Sequence, residues 1–426
     1  MPVLGCIADD ITGATDLAGA LVRRGIATTQ IFGVPEGPPD TDADAVVIAL
    51  KTRTATSAEA REQSLRSCRW LRSHGVQGLY LKYCSTFDST SEGNIGPVTD
   101  ALLAELASSL TVHCPAYPAN ARTVYLGHLF VGRSLLSESG MANHPLTPMR
   151  DPDLLRVLGS QTPAAVGALP LDVTTHGPGP TAAHLADLGR AGTAHVIADA
   201  VRDEDIEHLA AAVAACELPL AAGGAPFGAA WGAALIRATG AGGAAPPVPP
   251  DGPSAVLVGS ASQATLRQVE SFARRWPLLR LPAEDVAAGP GSVDAALEWA
   301  AAHLGDGPVM VAADTRPEAV AAAQRTLGRE RAASAVEEAM GRLAVGLTER
   351  GVRRLVVAGG ETSGAVARAL GVTRVRIGPE ICTGVPWTVS ERPGLALAFK
   401  SGNFGGDDFF LEAFARLDGA ARGEPR

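Results

Sequence analysis

"VLGCIADDITGATDLAGALVRR", residues Val3 to Arg24, decides the fold class. Val3–Ala8 is a short apolar run, which suits a strand buried on both faces of a parallel sheet. Gly13–Arg24 repeats its apolar residues at helical spacing. Between them stand two adjacent carboxylates, Asp9 and Asp10, followed by Thr12 and Gly13. Strand, polar turn and helix make the first half of a βαβ unit.

The same pattern recurs to the end of the chain. Strands are expected at Ala27–Phe32, Ala45–Leu50, Leu79–Tyr83, Ala194–Asp199, Ala255–Gly259, Val309–Ala313, Leu355–Ala358 and Leu395–Phe399. Helical patterns cover Ser57–Ser73, Thr99–Ser108, Thr181–Arg190, Asp203–Cys216, Gln263–Arg275, Val293–His303 and Ala332–Glu349. Residues 111–180 are less regular, and "TVYLGHLFVG" reads as an irregular or antiparallel strand. At 426 residues the chain exceeds one ordinary core. "ATGAGGAAPPVPPDGPSA", Ala238–Ala255, has no hydrophobic period and reads as a linker. The expectation is therefore α/β with two domains, each a mostly parallel sheet flanked by helices. Residues 1–240 form the first domain, 252–426 the second, and 241–251 the linker.

Composition narrows the function. The net charge is -9 and no Lys/Arg block occurs, which argues against a nucleic-acid partner. Leu218–Ile236 is uncharged and long enough to span a membrane, but it is rich in Ala and Gly with two prolines. It reads as buried strand, turn and helix, so no membrane partner is expected. Six cysteines without a C-x-x-C pair read as reduced thiols of a cytoplasmic protein. His128 and His144 lie in unusual loops but not at metal-ligand spacing, and both read as structural. Only three lysines occur, Lys51, Lys82 and Lys400, each after an apolar run and before a polar loop.

In the second half, "VLVGSASQAT", "LVVAGGETSGAV" and "LAFKSGNFGGDDF" each pass from a strand through a Gly/Ser turn toward a helix. Glycine lets backbone N–H groups approach a ligand, and a helix N-terminus adds positive potential, so these loops suit phosphate. No lysine follows a glycine, which excludes a Walker A loop, and "GGETSG" lacks the order of a dinucleotide fingerprint. In the first half, Asp9 and Asp10 suit a sugar hydroxyl, although either Asp10 or Thr12 would also cap the next helix. Lys51 and Arg53 in "KTRT" suit a carboxylate. "KYCSTFDSTSEGNIGP" supplies Ser85, Thr86 and Asp88, short polar groups that suit a polyol and equally suit turns. Cys84 reads as structural.

"IADDITGATDLA", "KYCSTFDSTSEGNIGP", "GHLFVG", "ESGMANHPLTPMRDP", "GGETSG" and "KSGNFG", in this order, resemble the four-carbon acid sugar kinases. The resemblance spans nearly the whole chain. It implies an N-terminal sugar-acid domain, a C-terminal nucleotide domain and ATP-dependent phosphorylation of C4. "KYCSTFDST" and "HPLTPM" look like the 3-oxo-tetronate branch. The D-erythronate or D-threonate branch carries Lys-x-Asp-Ser-Thr-Leu-Arg-Gly-Asn, whereas Thr86–Asn94 here lacks that lysine and arginine. Nucleotide contacts implied are Ser260, Gly359, Gly360, Glu361, Thr362 and Gly402, with Lys400 and Asn403 in the last loop. The serine loop departs from the family pattern, because Val258 stands at its first serine. Sugar-acid contacts implied are Asp9, Lys51, Arg53, Ser85, Thr86 and Asp88, with Asp10 orienting or deprotonating the C4 hydroxyl. Mg²⁺ bridging the phosphates is expected, with no protein ligands assigned. A sensor that binds sugar acid and nucleotide without turnover is the non-enzymatic alternative. A homodimer is left open, since no interface is legible.

Overall fold

The strands form where apolar runs are dense enough to be covered on both faces. In the computed structural model, residues 2–38, 41–143, 147–239, 247–402 and 404–421 are described. The chain divides into two compact units, Met1–Ala245 and Pro246–Arg426. Most of the sequence linker, and His144 and Asn403, lie outside the described residues. The molecule is α/β, with largely parallel strands flanked by helices.

The first unit carries β1 (Leu4–Ala8), β2 (Thr28–Phe32), β3 (Ala45–Ala49), β4 (Gly78–Lys82) and β5 (Thr111–Cys114). A small antiparallel sheet follows, made of β6 (Arg122–Tyr125), β7 (His128–Val131) and β8 (Ser134–Leu135). Then come β9 (Val166–Leu169), β10 (His195–Ala198) and β11 (Leu220–Gly223). The order β2-β3-β1-β4-β11-β5-β10-β9 is parallel throughout. β1, β3 and β4 are buried at every residue, which explains why they read as continuous apolar runs. After β1 the chain moves to one side for β2 and β3, then crosses to the other for β4. The switch point therefore lies outside the carboxyl ends of β1 and β4, where open α/β sheets bind ligands.

The second unit holds β12 (Ser254–Val258), β13 (Leu278–Leu281), β14 (Val309–Ala313) and β15 (Arg354–Ala358). β16 (Arg374–Cys382), β17 (Val385–Ser390) and β18 (Leu395–Lys400) complete it. The order is β13-β14-β12-β15-β18-β17-β16. β17 runs antiparallel to β18 and to β16, and the other pairs are parallel. Its switch point lies between β12 and β15. The core gathers Val256, Met310, Val356, Trp387 and Ala398 with Phe409, Phe410 and Phe414 of the helix Phe409–Ala421.

The membrane-length stretch is β11 followed by the helix Ala225–Thr239. Among the described residues no helix is long and apolar enough to cross a membrane. "TVYLGHLFVG" forms the antiparallel pair β6–β7. Strands β5, β8, β9, β13, β16 and β17 were not expected.

Candidate functional site

Asp9 and Asp10 sit just past the end of β1, so strand alternation no longer sends them to opposite faces. The helix after β1 begins at Ile11, two residues earlier than its apolar spacing suggests, because Asp10 caps it. Asp10 Oδ1 accepts from the Gly13 N–H at 2.9 Å and Oδ2 from the Thr12 hydroxyl at 2.8 Å. The backbone of Asp9 joins three loops. Its N–H donates to Lys82 C=O at the end of β4, and its C=O accepts from the N–H groups of Thr52 and Arg53.

Arg53 lies at the centre of the acidic residues. Its Nε and Nη2 donate to the two oxygens of Asp9 at 3.0 and 2.8 Å, a bidentate fork. Nη2 is also 2.9 Å from Asp10 Oδ1, and Nη1 is 3.7 Å from Asp88 Oδ2. The carboxylate that the Nε/Nη2 side of Arg53 grips is thus Asp9. The Nη1 edge is the part not committed to Asp9. Thr86 donates to Asp88 Oδ1 at 2.5 Å and lies 2.9 Å from Cys84 Sγ. Ser85 is half-buried on the same turn, and Lys51 is exposed at the start of the loop after β3.

The two neighbouring carboxyls are pushed in opposite directions. Burial pushes Asp9 up, more than the Arg53 charge and hydrogen bond pull it down. Burial acts on Asp10 too, but Arg53, Lys82, Thr12 and Gly13 together hold it below the usual carboxylate range.

Two site residues were not expected. Lys82 Nζ is buried, donates to Tyr83 C=O at 2.9 Å and lies 3.9 Å from Asp16 Oδ2. Asp16, buried in the second turn of the first helix, accepts from the Tyr117 hydroxyl at 3.2 Å. The sequence signal was an acid inside the buried run Ala14–Ala20. Gly13 is required here, because a Cβ would lie 2.3 Å from Asp10 Oδ1 and 3.3 Å from Lys82 Nζ.

In the second unit the three glycine loops after β12, β15 and β18 are brought together. A Cβ on Gly259 would lie 2.1 Å from Thr362 Oγ1, and one on Gly402 would lie 2.8 Å from Ser260 Oγ. Ser262 caps the helix Gln263–Ala273 and donates to Gly402 C=O at 2.6 Å. Ser260 Oγ accepts from the Ser262 N–H at 3.3 Å and lies 3.2 Å from the Thr265 hydroxyl. The helix Gly360–Ala369 starts after Gly359 at φ +125° with no side-chain cap. Nothing lies within 4 Å of where a Cβ on Gly360 would stand, and a helix N-terminus of this kind carries positive potential. Thr362 is buried, while Glu361 is exposed at the first turn.

Lys400 turns inward. Its Nζ is fully buried and donates to Gly402 C=O at 2.8 Å, Ser401 C=O at 3.0 Å and Thr265 Oγ1 at 3.2 Å, over the Phe409 ring. As placed, it holds the Gly402 loop and contributes charge from behind, without a surface for direct phosphate contact. Burial lowers it to about 8. Among the described residues no group of three or more His, Cys, Asp or Glu could hold a metal ion.

Family models for a sugar-binding N-terminal domain and a nucleotide-binding C-terminal domain match residues 4–231 and 255–410. A 3-oxo-tetronate kinase of Cupriavidus necator is 50% identical, over 98% of this chain and 98% of its own. One of Pseudomonas fluorescens is 50% identical over the same shares of both chains. A crystal structure of a Haemophilus influenzae protein superposes with TM-score 0.83 at 42% identity, covering 97% of this chain and all of that one.

Proposed function

We infer that this chain, which belongs to the 3-oxo-tetronate kinase family of paired sugar-binding and nucleotide-binding domains, transfers a phosphoryl group from ATP to a 3-oxo-tetronate. The observation that carries this is half-identity to 3-oxo-tetronate kinases over nearly the full length of both chains.

The acceptor belongs to the first unit and the donor to the second. A 3-oxo-tetronate offers a carboxylate at C1, a carbonyl at C3 and a primary hydroxyl at C4. The primary hydroxyl is the less hindered nucleophile, and C4 is the proposed site of transfer. Asp10, held as an anion, accepts a hydrogen bond from that hydroxyl and aims its lone pair. Phosphoryl transfer passes through a loose transition state, so orientation matters more than early proton removal. A carboxylate with a lowered pKa suits that task. Asp9 fixes Arg53, whose Nη1 edge and the exposed Lys51 receive the C1 carboxylate. Ser85, Thr86 and Asp88 meet the remaining polar groups.

For the donor, Ser260, Gly359, Gly360, Glu361, Thr362 and Gly402 are the proposed nucleotide contacts, with Asn403, the next residue in sequence, as a further candidate. The uncapped helix after Gly359 and the gaps that only glycine permits fit a triphosphate. Mg²⁺ would neutralise charge on the phosphate oxygens. Held by those oxygens and water, it requires no cage of protein carboxylates. All six cysteines are free, which fits a reducing compartment such as the cytoplasm.

The test is ADP release by the purified protein with Mg-ATP and a 3-oxo-tetronate. Formation of the 4-phosphate supports the reading. ADP release only with a 2,3-dihydroxy acid would move the substrate to erythronate or threonate. No release with any sugar acid would remove the kinase activity.

A further inference from the structure

Tyr83 follows β4 and lines a cavity of about 20 Å³ with Asp9, Arg53, Asp88 and Asn94. It is 1% exposed. Its hydroxyl lies 3.3 Å from His113 Nδ1. His113 Nε2 lies 3.2 Å from His195 Nδ1, and His195 Nε2 lies 2.8 Å from Asp100 Oδ1. Both imidazoles are fully buried. Asp100, on the helix Ile95–Glu105, keeps 31% of its side chain exposed and accepts a second hydrogen bond from Thr162. A continuous line of polar groups therefore runs from the sugar-acid site to the molecular surface.

Its polarity follows from one end. An ionised carboxylate only accepts, so His195 donates through Nε2. A neutral His195 then accepts at Nδ1, and His113 must donate through Nε2. His113 accepts at Nδ1, and the donor is the Tyr83 hydroxyl. Burial favours neutral imidazole at both histidines, which is the state the chain of bonds needs. Every donor points away from the site. The Tyr83 proton is committed outward, and its ring is locked against rotation.

Tyr83 in turn supports two site features. Its carbonyl accepts from Lys82 Nζ at 2.9 Å. Its ring meets Phe87 edge-on, at 5.2 Å between centroids. Phe87 holds φ +61°, an unusual backbone for a bulky residue, at the centre of the turn that carries Thr86 and Asp88. A left-handed phenylalanine persists only where its surroundings over-determine it.

We propose that Asp100, His195 and His113 are positioning residues that lock Tyr83, and through it Lys82 and the 85–88 turn, in the geometry that binds the sugar acid. The part concerning the sugar acid rests on the kinase reading, and the orientation of the relay does not. Two readouts separate them. The first is the ring-nitrogen spectrum of the full chain labelled with ¹⁵N-histidine, with His113 and His195 assigned by single substitutions to Gln. Both are expected as neutral Nε2–H tautomers at neutral pH. An Nδ1–H tautomer or an imidazolium at either one overturns the proposal, whatever the enzyme phosphorylates. The second is Asp100→Ala, a change on a partly exposed helix position. It is expected to shift the His195 signals and raise KM for the sugar acid about ten-fold, as for one lost buried hydrogen bond, with KM for ATP unchanged. Unchanged signals and unchanged KM, or equal rises in both KM values, overturn it.

Discussion

Asp10 serves two purposes that one substitution separates. As an N-cap it is nearly matched by asparagine, so Asp10→Asn leaves the helix start intact. As the anion that aims the acceptor hydroxyl it has no neutral substitute. The variant is expected to keep the helix start but to lower Tm at neutral pH, because the lowered pKa makes the ionised Asp10 stabilising there, and to lose turnover on the order of 10²-fold, read from a melt and from initial rates. Wild-type turnover would end the proposed role. Asp9 gives a different signature. Its raised pKa means the protonated form is favoured on folding. Its contribution to stability is present below the ordinary aspartate range and is lost as pH rises through the raised value. Asp9→Asn should therefore hold or raise Tm at neutral pH while weakening sugar-acid binding through the lost Arg53 fork. In the wild type, the acid limb of kcat/KM should fall above the ordinary aspartate range, because Asp9 is neutralised there while Asp10 stays charged. That limb should be absent in Asp9→Asn. The two adjacent acids were legible in the sequence. Their division was not, because it depends on Arg53 and Lys82, 44 and 72 positions downstream of Asp9 and Asp10.

In both units the candidate site residues stand on loops at the carboxyl ends of the strands. Those of the second unit were readable from their Gly/Ser grammar, and the βαβ alternation was readable from buried apolar runs. What escaped were strands without such runs. β16 alternates Arg374 and Arg376 with buried Val375 and Ile377, a period-two pattern of a half-covered strand. β5 carries His113 at its centre, a polar residue whose burial is satisfied only by partners far along the chain. Lys400 was legible as a rare lysine beside a Gly/Ser loop, yet its ammonium turns inward. Two variants probe this packing. Gly259→Ala places a methyl against Thr362. It should raise KM for ATP about ten-fold, a typical overpacking cost, and leave KM for the sugar acid unchanged. Equal KM values in variant and wild type would show that the loops tolerate the displacement. Lys400 is lowered from 10.5 to about 8 by burial. Between these values the unfolded chain binds a proton that the folded chain does not, so stability rises with pH across that window. Over the same rise the buried positive charge is lost, and KM for ATP should climb above about pH 8. Lys400→Met should flatten both trends, as measured by melts and by kinetics from pH 7 to 10.

At the scale of the whole molecule, two α/β units each place their motifs at a switch point of strand order. In the first unit these are the loops after β1, β3 and β4. In the second they are the loops after β12, β15 and β18. The substrate follows from neither topology. It follows from chemistry held at those ends and from the family to which the full length belongs. The most direct measurement is ADP release with Mg-ATP against a panel of 3-oxo-tetronate, erythronate, threonate and glycerate, with the product located by ³¹P coupling. The account predicts strong turnover with the 3-oxo acid, giving a phosphate coupled to the C4 methylene protons. Turnover with a dihydroxy acid in its place, or a phosphate on another carbon, would contradict it.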